Sequence, residues 1–141
     1  GEAGVVAAFC RDLEAGKPLR IFGDGLQTRD FVYAGDVARA NLAALEAART
    51  GECPSINVCS GEAIDINTLA GVLSELVARR QGRDILETQP PGHEPARAGD
   101  IRHSLLDPSA AAELLGWRPR VTLREGLEET VAWLLENAKA T

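Results

Sequence analysis

Residues 18–41 read PLRIFGDGLQTRDFVYAGDVARAN. Leu19–Phe22 has the apolar content of a short strand. Gly23-Asp24-Gly25 is a turn, because glycine reaches positive φ at little cost. Asp30–Tyr33 reads as a second strand. Asp36 is a good N-cap for a helix over 37–49. The packing face of that helix, Val37, Ala40, Asn41 and Ala44, rests on alanine, which predicts a helix lying tight against a sheet. Strand, glycine turn, strand and capped helix together point to an α/β domain.

The flanking sequence extends this pattern. Val5, Val6, Phe9 and Leu13 fall at helical spacing, and Gly16 with Pro18 supplies a stop, so a helix is expected over 3–15. Ser55–Cys59 reads as a strand ending at Ser60-Gly61. Asp65 or Ile66 opens a helix over 66–80, with Leu69, Val72, Leu73, Leu76 and Val77 on one face. Ile85–Thr88 is a further strand candidate. Gln89–Asp100 holds three prolines and two glycines, which predicts a loop. Residues 103–106 are expected to be extended. Asp107 caps a helix over 108–115 with Pro108 at its first position, and Gly116 ends it. Thr122 and Glu125 form a capping box for a helix over 123–138, striped by Leu123, Leu127, Val131, Leu134 and Leu135. The expected architecture is one α/β domain over residues 1–141, with short strands and covering helices.

The 141 residues are 45% hydrophobic and 26% charged, enough for a folded core. A net charge of −6 repels phosphate backbones, so nucleic acid is not an expected partner. A local pair of arginines can still hold a small anion. Cys10, Cys53 and Cys59 are odd in number and form no CxxC, which suits reduced thiols in a cytoplasmic protein. No apolar run approaches the ~18 residues that would span a bilayer. GEAGVVAAFC is too short and too acidic for a signal peptide. The lack of methionine is compatible with a piece of a longer protein.

Several residues could carry chemistry. Arg29 follows the glycine turn, where a guanidinium fork matches phosphate oxygens; it could equally pair with Asp30 or Asp24. Arg97 lies in EPARAGD, within a loop long enough to bind a ligand, or it is simply solvated. Asp100 could orient Arg97, accept a ligand hydroxyl or cap a turn. Asn57 sits among apolar residues in INVCSG and needs a partner, either a neighbouring loop or a ligand. Phe22 and Leu19 could wall a base or belong to the core. His93 and His103 have no ligand-spaced companions, so no metal site is expected. No nucleophile triad is apparent, and neither GxGxxG nor GxxxxGK[ST] occurs.

Three blocks of sequence carry a resemblance. They are residues 18–41 as quoted, PSINVCSGEAIDINTLAGVL at 54–73, and RAGDIRHSLLDPSAAAELLGWRPRVTLREGLEETVAWL at 97–134. Together they resemble the carboxyl-terminal, substrate-binding part of the Rossmann-type extended short-chain dehydrogenase/reductase family. Within it they are similar to the NAD-dependent NDP-sugar epimerases and dehydratases, the UDP-glucose 4-epimerase-like branch above all. The resemblance implies that Arg29 and Arg97 clamp a pyrophosphate. It gives Asp100 the ribose or the loop, and Asn57 the phosphate or base. It places Leu19, Arg20 and Phe22 in the base pocket, largely through backbone groups. The implied partner is a nucleotide-sugar, a UDP-hexose. NAD would serve the full-length enzyme, which the resemblance makes a homodimer through its other half.

The family's dinucleotide fingerprint and Tyr-x-x-x-Lys pair have no counterpart here. The single tyrosine is Tyr33, and Val37 follows four residues later. The expectation is therefore a substrate-binding part with no catalytic residue and no NAD of its own. The parent enzyme would remove and return a hydride at the sugar C4, or act as a 4,6-dehydratase or reductase. A non-catalytic binding module, or a structural fragment with Val5, Val6 and Phe9 exposed, are the competing readings. Gly35 replaces a bulkier or acidic residue of the family, which predicts a looser start to the second helix.

Overall fold

The computed structural model describes residues 4–48 and 55–137. In chain order the elements are α1 (Val5–Glu14), β1 (Arg20–Phe22), β2 (Thr28–Asp30), α2 (Ala34–Ala48), β3 (Ala63–Asp65) and α3 (Ile66–Arg80). A single 3-10 turn at Ile85–Glu87 follows, then β4 (Gly92–Glu94), α4 (Ser109–Leu115) and α5 (Leu123–Asn137). The fold is α/β with short strands and covering helices, as the order of sequence signals predicts. Among the described residues, no helix is long and apolar enough to cross a membrane.

The chain groups into two compact units. The first comprises Gly1–Gln27, Asp65–Arg102 and Arg124–Thr141, and the second Thr28–Ile64 and His103–Leu123.

In the first unit, α1 packs on α3. Helix α1 buries Phe9, Cys10 and Leu13, while α3 buries Leu69, Leu73 and Val77 at four-residue spacing, the stripe of an amphipathic helix. Each such leucine is worth about 1.5–3 kcal/mol of apolar burial. Asp65 caps α3: its carboxylate accepts from the Thr68 N–H at 2.8 Å and the Thr68 hydroxyl at 2.7 Å. Helix α5 contributes buried Leu127, Val131 and Leu135, and its Arg124 forks onto Glu75 at 3.1 and 2.5 Å.

Strands β1 and β4 pair in parallel, with Arg20 opposite Gly92 and Phe22 opposite Glu94. The stretch 89–100, read as loop throughout, therefore contains a strand. Where a strand is expected over Ile85–Thr88, the chain forms the 3-10 turn Ile85–Glu87. The Asp84 carboxylate accepts from the Leu86 N–H at 3.0 Å and closes it locally. Phe9 is buried, and Val5 and Val6 are half-buried, which removes the premise of an exposed apolar start.

In the second unit, β2 lies beside β3 and α2 packs on α4. Ala40, Ala111 and Trp117 form a buried cluster, with Val32, Ile56, Val58 and Leu115 against it. Gly116 ends α4 with φ of +60°, as expected of a C-cap glycine. Helix α4 begins at Ser109, one residue late, with Asp107 accepting from the Ser109 N–H at 2.9 Å.

Three expectations are corrected in this unit. The second strand is Thr28–Asp30 and not Asp30–Tyr33. Ser55–Cys59 has an alternating burial pattern but carries no strand assignment; the strand forms at Ala63–Asp65. Asp36 lies inside the first turn of α2 and does not cap it. At Gly35 the packing is close: a Cβ there would meet Tyr33 Cε1 at 2.7 Å, so the missing side chain makes room for that ring. Residues 49 and 138, the expected helix ends, and Cys53 lie outside the described residues.

Candidate functional site

Strand β1 alternates, as a half-buried strand must. Leu19 and Ile21 are buried, Arg20 is exposed and Phe22 is half-buried. The Leu19 side chain thus belongs to the core of the first unit, and its carbonyl accepts from the Gly92 N–H at 2.8 Å. Arg20 and Phe22 are the residues of this strand that can meet a ligand. The Arg97 guanidinium lies 3.9 Å from the centroid of the Phe22 ring, within cation–π range. The Asp100 N–H donates to the Arg97 carbonyl at 3.2 Å, so Asp100 closes the turn that presents Arg97. Phe22, Arg97 and Asp100 form one cluster in the first unit. It stacks a guanidinium fork on an aromatic face.

Arg29 and Asn57 belong to the second unit. Arg29 is half-buried on β2 and donates through Nη1 to the Thr28 carbonyl at 2.8 Å. Asn57 is exposed and donates through Nδ2 to the Asp107 carbonyl at 3.4 Å, the neighbouring-loop partner that its sequence position allowed. The Asp30 carboxylate accepts from the Ser60 N–H at 2.8 Å, the Ser60 hydroxyl at 2.6 Å and the Gly61 N–H at 3.0 Å. It thereby fixes the Ser60-Gly61 turn.

Two acidic residues prove more central than their sequence signals suggested. Asp24, read as a turn residue and as a possible partner of Arg29, accepts both Arg102 nitrogens, at 2.6 and 2.9 Å, and the Leu26 N–H at 3.0 Å. Arg102 and Leu26 hold its carboxyl down to about 2. Asp36 is buried and accepts from the N–H groups of Arg120 at 2.7 Å and Val121 at 3.0 Å, and from Arg39. Burial pushes its carboxyl up, but the Val121 N–H, the Arg39 guanidinium and the Arg120 N–H outweigh it and leave it lowered. The signal for Arg102 was available: it is a second arginine, two residues beyond the loop that carries Arg97.

A dinucleotide would need glycine backbone open to a pyrophosphate. The glycine turn after β1 is already filled. The Asn67 side chain occupies the space beside Gly25. Among the described residues, this turn does not offer the pyrophosphate of NAD an open glycine backbone. Among them, no group of three or more His, Cys, Asp or Glu is placed to hold a metal.

The model of the NAD dependent epimerase/dehydratase family matches residues 1–59. A UDP-glucose 4-epimerase of Mycolicibacterium smegmatis is 41% identical over 131 residues, covering 93% of this chain and 39% of that protein. A dTDP-4-dehydro-6-deoxy-D-allose reductase of a Streptomyces species is 37% identical over 129 residues, covering 92% of this chain and 36% of that protein. The crystal structure of UDP-glucose 4-epimerase with UDP-glucose from Thermotoga maritima superposes with a TM-score of 0.83 at 39% identity. It covers 98% of this chain and 41% of that one. The chain thus spans about two fifths of the length of the proteins it matches. On this identity, coverage and shared fold, the chain belongs to the NAD-dependent epimerase/dehydratase family of NDP-sugar enzymes.

Proposed function

We propose that this chain is the nucleotide-sugar-binding part of an NDP-sugar 4-epimerase-like enzyme, with a UDP-hexose as its ligand. The observation that carries the reading is Arg97 poised over Phe22 at the end of β1. It occurs in a chain 39% identical to an epimerase solved with UDP-glucose. Phe22 and Arg20 would meet the base side of the nucleotide, and Arg97 the diphosphate. Asp100 would hold the Arg97 turn or accept from the ribose. Arg29 is the second proposed phosphate ligand, and Asn57 a phosphate or base contact. Leu19 would act only through its backbone. Removal and return of the C4 hydride, with NAD, would fall to residues beyond this chain. Tyr33 has no lysine four residues on, so the chain alone is proposed to be inactive.

The reductase relative favours a second reading, a dTDP-linked deoxysugar on the same residues. Calorimetric titration with UDP, dTDP and GDP, with Arg97→Ala as control, separates the two. Binding of UDP, weakened at least about tenfold in Arg97→Ala as expected for a lost charge-assisted fork, supports the first. Preference for dTDP supports the second. Equal UDP affinity of Arg97→Ala and wild type would remove the clamp.

A further inference from the structure

The loop that carries Arg97 is tied to one turn at both ends. At its start, the Gly23 N–H donates to the Glu94 carbonyl at 2.9 Å, continuing the β1–β4 register. At its end, Arg102 places both nitrogens on the Asp24 carboxylate at 2.6 and 2.9 Å. Gly23 and Asp24 are consecutive, so residues 95–101 form a closed loop whose two feet stand side by side. Asp24 is itself immobilised from three directions. It accepts from the Leu26 N–H through Oδ1 and from Arg102 through both oxygens. Its carbonyl accepts from Asn67 Nδ2 at 2.9 Å, and Asn67 sits in the first turn of α3.

We propose that the Asp24–Arg102 pair is a latch: it holds residues 95–101 against the end of β1 and so positions Arg97 for the diphosphate of the ligand. The role in binding rests on the nucleotide-sugar reading above. The physical need is clear from magnitudes. Asp24 and Arg102 side chains are each 52% exposed, and an isolated exposed pair contributes little to stability. A bidentate fork that closes a loop acts on a different quantity, the number of conformations open to the ligand-binding arginine. Preorganising one phosphate ligand raises affinity by lowering the entropy lost on binding. Arg102 is thus a positioning residue, acting through Arg97.

The test uses hydrogen exchange and titration on the same samples. In Arg102→Gln, amide exchange across 95–101 should rise, while the buried face of α3 around Leu69–Val77 keeps its protection and shows that the fold is intact. UDP affinity should fall roughly three- to fivefold, the scale of a lost exposed ion pair, with uridine affinity unchanged because uridine lacks the diphosphate. Arg102→Lys, which keeps the charge but not the fork, should fall between. The double variant Asp24→Asn/Arg102→Gln should stay weak. Its recovery to wild-type affinity would show that Arg102 merely neutralises Asp24, and would overturn the latch. Unchanged exchange at 95–101 in Arg102→Gln would overturn it independently of any ligand. Failure of the wild-type chain to bind UDP would instead overturn the nucleotide-sugar reading, and with it the role of the latch in binding.

Discussion

The indole N–H of Trp117 donates to the main-chain carbonyl of Asp36 at 2.9 Å. The same aspartate accepts the Arg120 and Val121 N–H groups on its carboxylate. One residue of α2 therefore fixes both the Trp117 ring and the chain that follows it. Replacing Asp36 by Ala strands two backbone donors and leaves Arg39 only its longer bond to the Arg118 carbonyl. A loss of about 2–4 kcal/mol is expected, the cost of breaking a buried charged network from one side. Trp117→Phe keeps most of the ring and loses one neutral hydrogen bond, so about 1 kcal/mol is expected. Urea unfolding measures both. A stable Asp36→Ala protein would show that this network holds nothing together.

The Asp36 carboxyl also predicts an acid limb. Its folded pKa is lowered, so the folded state binds its proton more weakly than the unfolded chain does. The associated stability is present above the ordinary aspartate value of 3.8 and is lost as pH falls through the folded value. Stability of the wild type should begin to decline below about pH 5, where an unfolded aspartate begins to protonate. In Asp36→Asn that decline should be shallower, although the variant is weaker at neutral pH. Parallel curves for the two proteins between pH 7 and pH 3 would refute the assignment.

How much of this was legible depended on the range of the interaction. Helix α3 was read with its true ends because Asp65 and Thr68 cap it within one turn. Strand β4 was invisible because its partner is β1, some seventy residues earlier, and a short Gly-His-Glu strand carries no pattern of its own. Asp36 looked like a cap because its local sequence suits one; its real partners, Arg120 and Val121, lie far along the chain. Arg97 and Phe22 were each marked from sequence, but their stacking is a tertiary fact. Asp24 and Arg102 were missed as a pair for the same reason.

Thiol reactivity gives a prediction that needs no ligand. Cys10 is buried on α1, and burial, with the Glu14 charge adding to it, pushes its thiol up to about 11. Burial, with the Asp30 charge, also raises Cys59. The reactive species is the thiolate, so at pH 8 both should label far more slowly in the native protein than in urea. Site-resolved mass spectrometry after brief exposure to a disulfide reagent reads each cysteine separately. Rapid native labelling of Cys10 would place α1 in an opening equilibrium inconsistent with its packing on α3.

Gly25 tests the turn on which the latch stands. Its φ is +73°, and a Cβ there would collide with the Asn67 side-chain amide. Gly25→Ala therefore has two costs. The left-handed backbone costs about 1–2 kcal/mol for a residue with a Cβ. Displacing Asn67 costs roughly 1 kcal/mol more through its bond to the Asp24 carbonyl. Gly116→Ala shares the first cost only, since φ is +60° there and no atom lies within 4 Å of the added Cβ. Gly25→Ala should thus be the more damaging of the two in urea unfolding. Combining it with Asn67→Ala should give less than the sum of the single losses, because the truncated neighbour no longer obstructs the new methyl. Strict additivity would mean that Asn67 does not press on Gly25, and that the turn is held by Asp24 and Arg102 without it.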